Sequence, residues 1–117
     1  MLNLEYPIFQ GAMAWIAEHN LVAAVSNAGG LGIIAAGNAP VEIVREEIRK
    51  TKMLTNKPFG VNVPLLYPEM YKIMNIIVKE GVKIMDAALM HFDYGNVGMD
   101  GVHAAAPSVA ILAHLCQ

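Results

Sequence analysis

The feature that most constrains this chain is its beat. Continuous apolar runs begin near residues 6, 31, 58, 82 and 102, and stretches with helical spacing or turn residues lie between them. A strand–helix repeat of roughly 20–27 residues is the mark of βαβ units, in which parallel strands are joined by helical crossovers. Strands covered on both faces read as unbroken apolar runs rather than as an alternation. That accounts for a chain with 56% hydrophobic and only 15% charged residues. The expected fold class is therefore α/β. A complete (β/α)8 TIM-type barrel takes about 250 residues, so 117 residues supply about five of its eight units. The beat alone is equally compatible with a small open doubly wound sheet.

Composition narrows the partners. The net charge is −2 and no basic patch or tail is present, which argues against nucleic acid or an anionic membrane surface. No apolar run approaches the roughly 20 residues that cross a bilayer, and the N-terminus lacks the basic n-region of a signal peptide. A lone cysteine, Cys116, cannot form an internal disulfide and suits a reducing compartment. The expectation is a cytoplasmic protein whose partner is a small molecule.

Along the chain, Tyr6-Pro7-Ile8-Phe9-Gln10-Gly11-Ala12-Met13 reads as a short buried strand that ends abruptly in glycine, with a polar and a sulfur-bearing side chain at its tip. Ligands of parallel α/β proteins bind just past the carboxyl ends of strands, and glycine there admits a flat ligand close to the backbone. Ala14 to Asn20 reads as a polar-ended loop. Leu21 to Asn27 reads as a helix, closed by Gly29 as a left-handed cap. Leu31 to Ala36 is a second strand. Val41 to Leu54 is the clearest helix, with Val41, Val44, Ile48 and Leu54 as its apolar stripe and Glu46–Lys50 as a favourable pair. Phe59 to Leu65 is a third strand, with the polar Asn62 inside it. Met70 to Glu80 is a helix ended by Gly81, and Val82 to Met85 a fourth strand. Residues 86–101 show little periodicity. Val102 to Pro107 suggests a fifth strand, and Ser108 an N-cap for a closing helix, Val109 to Leu115.

Other residues carry less chemistry. Ser26-Asn27-Ala28-Gly29-Gly30 has the glycine content of a phosphate loop, but it ends a helix, so no helix N-terminus faces a ligand. It reads as structural capping. Met70, Met74 and Met85 read as adaptable core filler. His91 and Asp93 are too few to define a metal site, His103 reads as a histidine buried in an apolar run, and Cys116 has no base beside it in sequence. No metal is expected.

Three segments together resemble one family. They are Tyr6-Pro7-Ile8-Phe9-Gln10-Gly11-Ala12-Met13-Ala14-Trp15, then Ala24-Val25-Ser26-Asn27-Ala28-Gly29-Gly30-Leu31-Gly32-Ile33-Ile34, then Lys57-Pro58-Phe59-Gly60-Val61-Asn62. Their order and spacing are similar to those of the nitronate monooxygenase family, which includes the flavin-dependent enoyl-acyl-carrier-protein reductase II. The likeness is dense from residue 5 to about residue 85 and resumes weakly at Pro107-Ser108-Val109-Ala110. Gly11 to Trp15 and Gly37-Asn38-Ala39-Pro40 lean toward the reductase. Val61 to Pro68 leans toward the monooxygenase. The resemblance implies a (β/α)8 barrel with FMN at its C-terminal mouth, of which residues 1–117 would be a truncated N-terminal part. It implies that Gln10, Gly11, Ala12 and Met13 line the flavin ring and that Asn62 hydrogen-bonds its pyrimidine side. The implied activity is oxidation of alkyl nitronates with flavin and O2. The alternatives are NAD(P)H-driven reduction of an enoyl thioester, or an inactive fragment that self-associates through open edges. Two departures stand out. Where the family carries a Thr/Ser-Gly/Ala-Gly-Asn-Pro segment after the fourth strand, this chain reads Met85-Asp86-Ala87-Ala88-Leu89-Met90-His91-Phe92. The family's catalytic histidine and its phosphate-binding glycines would lie beyond Gln117. None of His19, His91, His103 and His114 matches that histidine, so no catalytic residue is assigned.

Overall fold

The apolar runs that begin near residues 31, 58 and 82 lie side by side and parallel. The computed structural model describes residues 2–37, 39–88 and 111–114. In chain order the elements are α1 (His19–Asn27), β1 (Gly32–Ala35), α2 (Val41–Leu54), β2 (Phe59–Pro64), α3 (Met70–Lys79), β3 (Ile84–Ala88) and β4 (Ile111–His114). The sheet order is β1-β2-β3-β4. Gly32 faces Phe59 and Ala35 faces Asn62 across β1–β2, while Gly60 faces Ile84 and Asn62 faces Asp86 across β2–β3. This is an α/β fold built on a parallel sheet, as the beat implied.

Strand alternation sorts the side chains onto two faces. Ile34, Phe59, Val61 and Val63 point to the helices and meet Val22, Val44, Ile48, Ile73 and Ile77 in the main core, with Met70, Met74 and Met85 packed around it. Leu31, Ile33 and Ile84 point the other way and are covered by Leu2, Leu4 and Ala12. The expected ion pair Glu46–Lys50 forms at 3.1 Å.

Several expectations change. Leu54 was expected to complete the α2 stripe, yet it is 48% exposed. The buried position is Thr51, whose hydroxyl donates to the Glu47 carbonyl at 2.8 Å and so enters the core satisfied. Helix α1 starts at His19, two residues before the expected Leu21, because the Glu18 carboxylate accepts from the N–H groups of Asn20 and Leu21. The expected strand of residues 6–13 is reduced to one parallel bridge between Phe9 and Leu31. Pro7 has no N–H to give a ladder, and the Ile8 N–H turns back to the Tyr6 carbonyl. The expected helix of residues 109–115 is instead strand β4 over Ile111–His114, antiparallel to β3. A short apolar run does not declare its period, and the open edge of β3 offers unpaired backbone groups that a strand satisfies. With β4 antiparallel, the strands are not all parallel. The proposed strand of residues 102–107 and the Ser108 cap lie outside the described residues.

The glycine segment after α1 has a steric explanation. Gly29 adopts φ +96°, and its carbonyl accepts the N–H groups of Glu5 and Tyr6, each at 3.0 Å. A β-carbon on Gly32 would run into the Val22 carbonyl, because α1 lies directly on the β1 backbone. The buried Ser26 hydroxyl then accepts the Gly32 N–H at 3.2 Å. Gly11, in contrast, has no heavy atom within 4 Å of where a β-carbon would stand. Overpacking of this kind costs about 1–3 kcal/mol, so Gly32→Ala should lower the melting temperature by roughly 5–20 °C while Gly11→Ala leaves it nearly unchanged. Thermal unfolding followed by circular dichroism checks this, and equal melting temperatures for the two variants would refute the steric account.

Candidate functional site

Gln10 occupies the point where backbone pairing runs out. Its N–H donates to the Leu31 carbonyl at 2.9 Å, and the Leu31 N–H donates to the Ile8 carbonyl at 2.8 Å. Beyond this the main chain leaves the sheet, and the Gln10 carboxamide takes over. Its Oε1 accepts the Ile33 N–H at 3.2 Å and its Nε2 donates to the Ile33 carbonyl at 3.3 Å. The same Nε2 also reaches the Gly11 carbonyl. A carboxamide carries the same donor and acceptor as a peptide group, so this side chain imitates the next strand residue. Gly11 follows as exposed backbone. Ala12 folds onto the Leu31–Ile33–Ile84 face. Met13 is 42% exposed, and its carbonyl accepts the N–H groups of Ile16 and Ala17 at 3.0 and 2.8 Å.

Asn62 is 6% exposed. It shares the Ile33–Ile84 face of the sheet, opposite Asp86 in register, and its Nδ2 donates to Asp86 Oδ2 at 2.9 Å. Ile33, Gly60 and Ile84 form one row across this face. Ala35, Asn62 and Asp86 form the next row, nearer the strand C-termini. The structure thus brings Ala12 and Asn62 to one face, with Gln10 gripping the β1 edge at the lower row and Asn62 in the upper. No hydrogen bond among the described residues joins Met13 to Asn62. Asp86 was not among the expected site residues, although it stands in the segment after the fourth strand where the chain departs from the family pattern, and that departure was the signal available. His91, Asp93, His103 and Cys116 lie outside the described residues.

A second polar cluster ties α1 to α2. His19 Nδ1 lies 2.6 Å from Glu47 Oε2 and 2.8 Å from Glu18 Oε2, and the His19 N–H donates to Glu47 at 2.9 Å. Burial pushes the Glu47 carboxyl up, but the His19 hydrogen bonds and the charges of His19 and Lys50 outweigh it and leave it below the usual carboxylate range. The ligand atoms of Glu18, His19 and Glu47 lie within 4.8 Å of one another, yet they are spent on each other and on the first N–H groups of α1. Carboxylates there also suit the positive end of the helix dipole. Glu47 and Glu18 flank a small cleft walled by Trp15, Ala17, Ile34 and Ile43. Trp15 holds φ +63°, a conformation uncommon for a side chain of this size.

A parallel sheet with its polar side chains gathered toward the strand C-termini is the arrangement on which α/β enzymes build their sites. The chain belongs to the nitronate monooxygenase family, whose model matches residues 1–110. FabK from Thermotoga maritima superposes with a TM-score of 0.72 at 40% identity, over 74% of this chain and 28% of that one. A (3aS,4S,5R,7aS)-5-hydroxy-7a-methyl-1-oxo-octahydro-1H-indene-4-carboxyl-CoA dehydrogenase of Mycobacterium tuberculosis is 36% identical over 76% of this chain and 25% of its own length. A probable nitronate monooxygenase of Staphylococcus haemolyticus is 50% identical over 53% of this chain and 17% of its own. The matched stretches therefore span a quarter or less of these two curated relatives. Among the described residues no helix is long and apolar enough to cross a membrane.

The Gln10 clamp makes a local prediction. Gln10→Ala leaves the Ile33 N–H and carbonyl without their side-chain partners, a loss of about 1–3 kcal/mol. Hydrogen exchange at the Ile33 amide should then accelerate roughly 10- to 100-fold. An unchanged rate would show that the carboxamide does not hold this edge.

Proposed function

We propose that residues 1–117 are part of an FMN-dependent oxidoreductase of the nitronate monooxygenase type, acting on alkyl nitronates with O2, and that they carry the ring side of its flavin site. The observation that carries this reading is the family match, combined with Gln10 at the β1 edge, Ala12 on the adjoining sheet face and Asn62 on that same face in the row toward the strand C-termini. The residues fit a flat ring. Gly11 leaves open space where a β-carbon would otherwise stand, the Gln10 clamp steadies the strand end beside it, and Asn62 offers an amide to the pyrimidine edge. A bound flavin would supply hydride or electron exchange, while the protein supplies position and polarity. Met13 is assigned to the same wall. The reading makes residues 1–117 the N-terminal part of a (β/α)8 barrel, cytoplasmic, with a small-molecule substrate. The match to FabK at 40% identity favours a second reading, NAD(P)H-dependent enoyl-acyl-carrier-protein reduction, in which NAD(P)H is the reductant.

Much of a flavin nucleotide's affinity comes from backbone donors around its phosphate, and in the family those lie elsewhere. The chain by itself should therefore bind FMN weakly and bind riboflavin equally well, within about twofold. Asn62→Ala should weaken both about 3- to 10-fold, one hydrogen bond's worth. Flavin fluorescence titration reads these constants. Tight FMN binding with a strong preference over riboflavin would refute a ring-only site, and absence of binding to either would refute the flavin reading for this chain.

We also propose that the chain self-associates. Tyr6, Ile8, Phe9, Trp15 and Ile16 are all about half exposed or more within one short stretch. Exposed apolar surface gathered in this way favours association. Sedimentation velocity at micromolar concentration should show a dimer or larger species, and a stable monomer would overturn this.

A further inference from the structure

The one carboxylate described on the inner sheet face lies against the buried amide that the proposed function assigns to the ring. Asn62 and Asp86 are register partners, with side chains on the same face and 2.9 Å between Nδ2 and Oδ2. The ion pairs formed among the described residues link side chains on or next to the helices, and Asp86 takes no part in them. Its partner is therefore the neutral amide. A carboxylate has acceptors only, whereas a carboxamide has a donor end and an acceptor end. Asn62 must turn its NH2 to Asp86, and the group it then has left to offer most directly is Oδ1. Without Asp86 the amide could present either end.

We propose that Asp86 is a positioning residue that locks the Asn62 carboxamide in one orientation, so that this point of the site accepts a hydrogen bond from an imide-type N–H of the ligand and discriminates against a ligand lacking that donor. The inference rests on the flavin reading for the identity of the ligand, but not for the orientation of the amide. It concerns a residue at which this chain departs from the pattern it otherwise resembles.

Two measurements test it on the 117-residue chain. The first needs no ligand. In nitrogen-15 spectra, the Asn62 side-chain NH2 should exchange with water at least tenfold more slowly in the native chain than in Asp86→Ala. Equal rates would overturn the lock whatever the flavin result. The second compares riboflavin with 3-methylriboflavin, which lacks the imide N–H. The native chain should prefer riboflavin about tenfold, and Asp86→Asn, which keeps the shape but frees the amide to flip, should narrow the preference below about threefold. A preference unchanged in Asp86→Asn, or absent from the native chain, would overturn the role assigned to Asp86. If the native chain binds neither flavin, the flavin reading and the ligand half of this inference fall together, and the exchange experiment still decides the Asn62–Asp86 lock.

Discussion

The contact on which this structure depends is the approach of α1 to the backbone of β1 at Gly32. A parallel strand covered by a helix normally keeps the two main chains apart by the width of side chains. Here the Val22 carbonyl sits where a β-carbon would be, so strand and helix touch. Once they touch, the Gly32 N–H needs an acceptor inside the core, and the Ser26 hydroxyl supplies it. The same closeness forces a sharp reversal between helix and strand. That reversal uses the positive φ of Gly29 and leaves the Gly29 carbonyl free to hold the N-terminal segment at Glu5 and Tyr6. The position of Gln10 follows, because a segment anchored at Gly29 and bridged at Leu31 arrives beside Ile33.

Asn27 extends the same logic to the next layer. Its Nδ2 donates to the Leu54 carbonyl at the end of α2, and its Oδ1 accepts from the Thr55 hydroxyl at 2.6 Å. The segment Ser26 to Gly32 therefore satisfies the backbone of β1, the C-terminus of α2 and the incoming N-terminal chain. A sequence rich in glycine and small polar residues looks like a ligand loop. In this place it is the junction of three elements.

The polar side chains of the inner face obey the same accounting. Gln10 serves the edge of β1, and Asn62 serves Asp86. An amide whose donor end is engaged by a fixed acceptor holds one orientation, and a site is accurate when its groups are held this way. The proposed flavin site would use these groups as an edge and a wall for a flat ring.

The sequence alone determined the βαβ order, the bounds of α2, the strand at Phe59, the glycine that ends α1 and the candidates Gln10 and Asn62. These follow from hydrophobic period and from local backbone limits, which act over a few residues and are written in them. It did not announce that residues 6–13 would make a single bridge, that Thr51 rather than Leu54 would be buried, or that Ile111–His114 would pair antiparallel with β3. Each of those outcomes depends on what lies across from the residue. Gln10 substitutes for a strand because the Ile33 backbone was left unpaired. Thr51 enters the core because its hydroxyl reaches the Glu47 carbonyl, and the last strand forms because β3 had an open edge. Asp86 marked a departure from the family pattern in the sequence, and only the register placed it against Asn62. Local pattern decides which elements exist, and only the tertiary structure decides which unsatisfied group each of them meets.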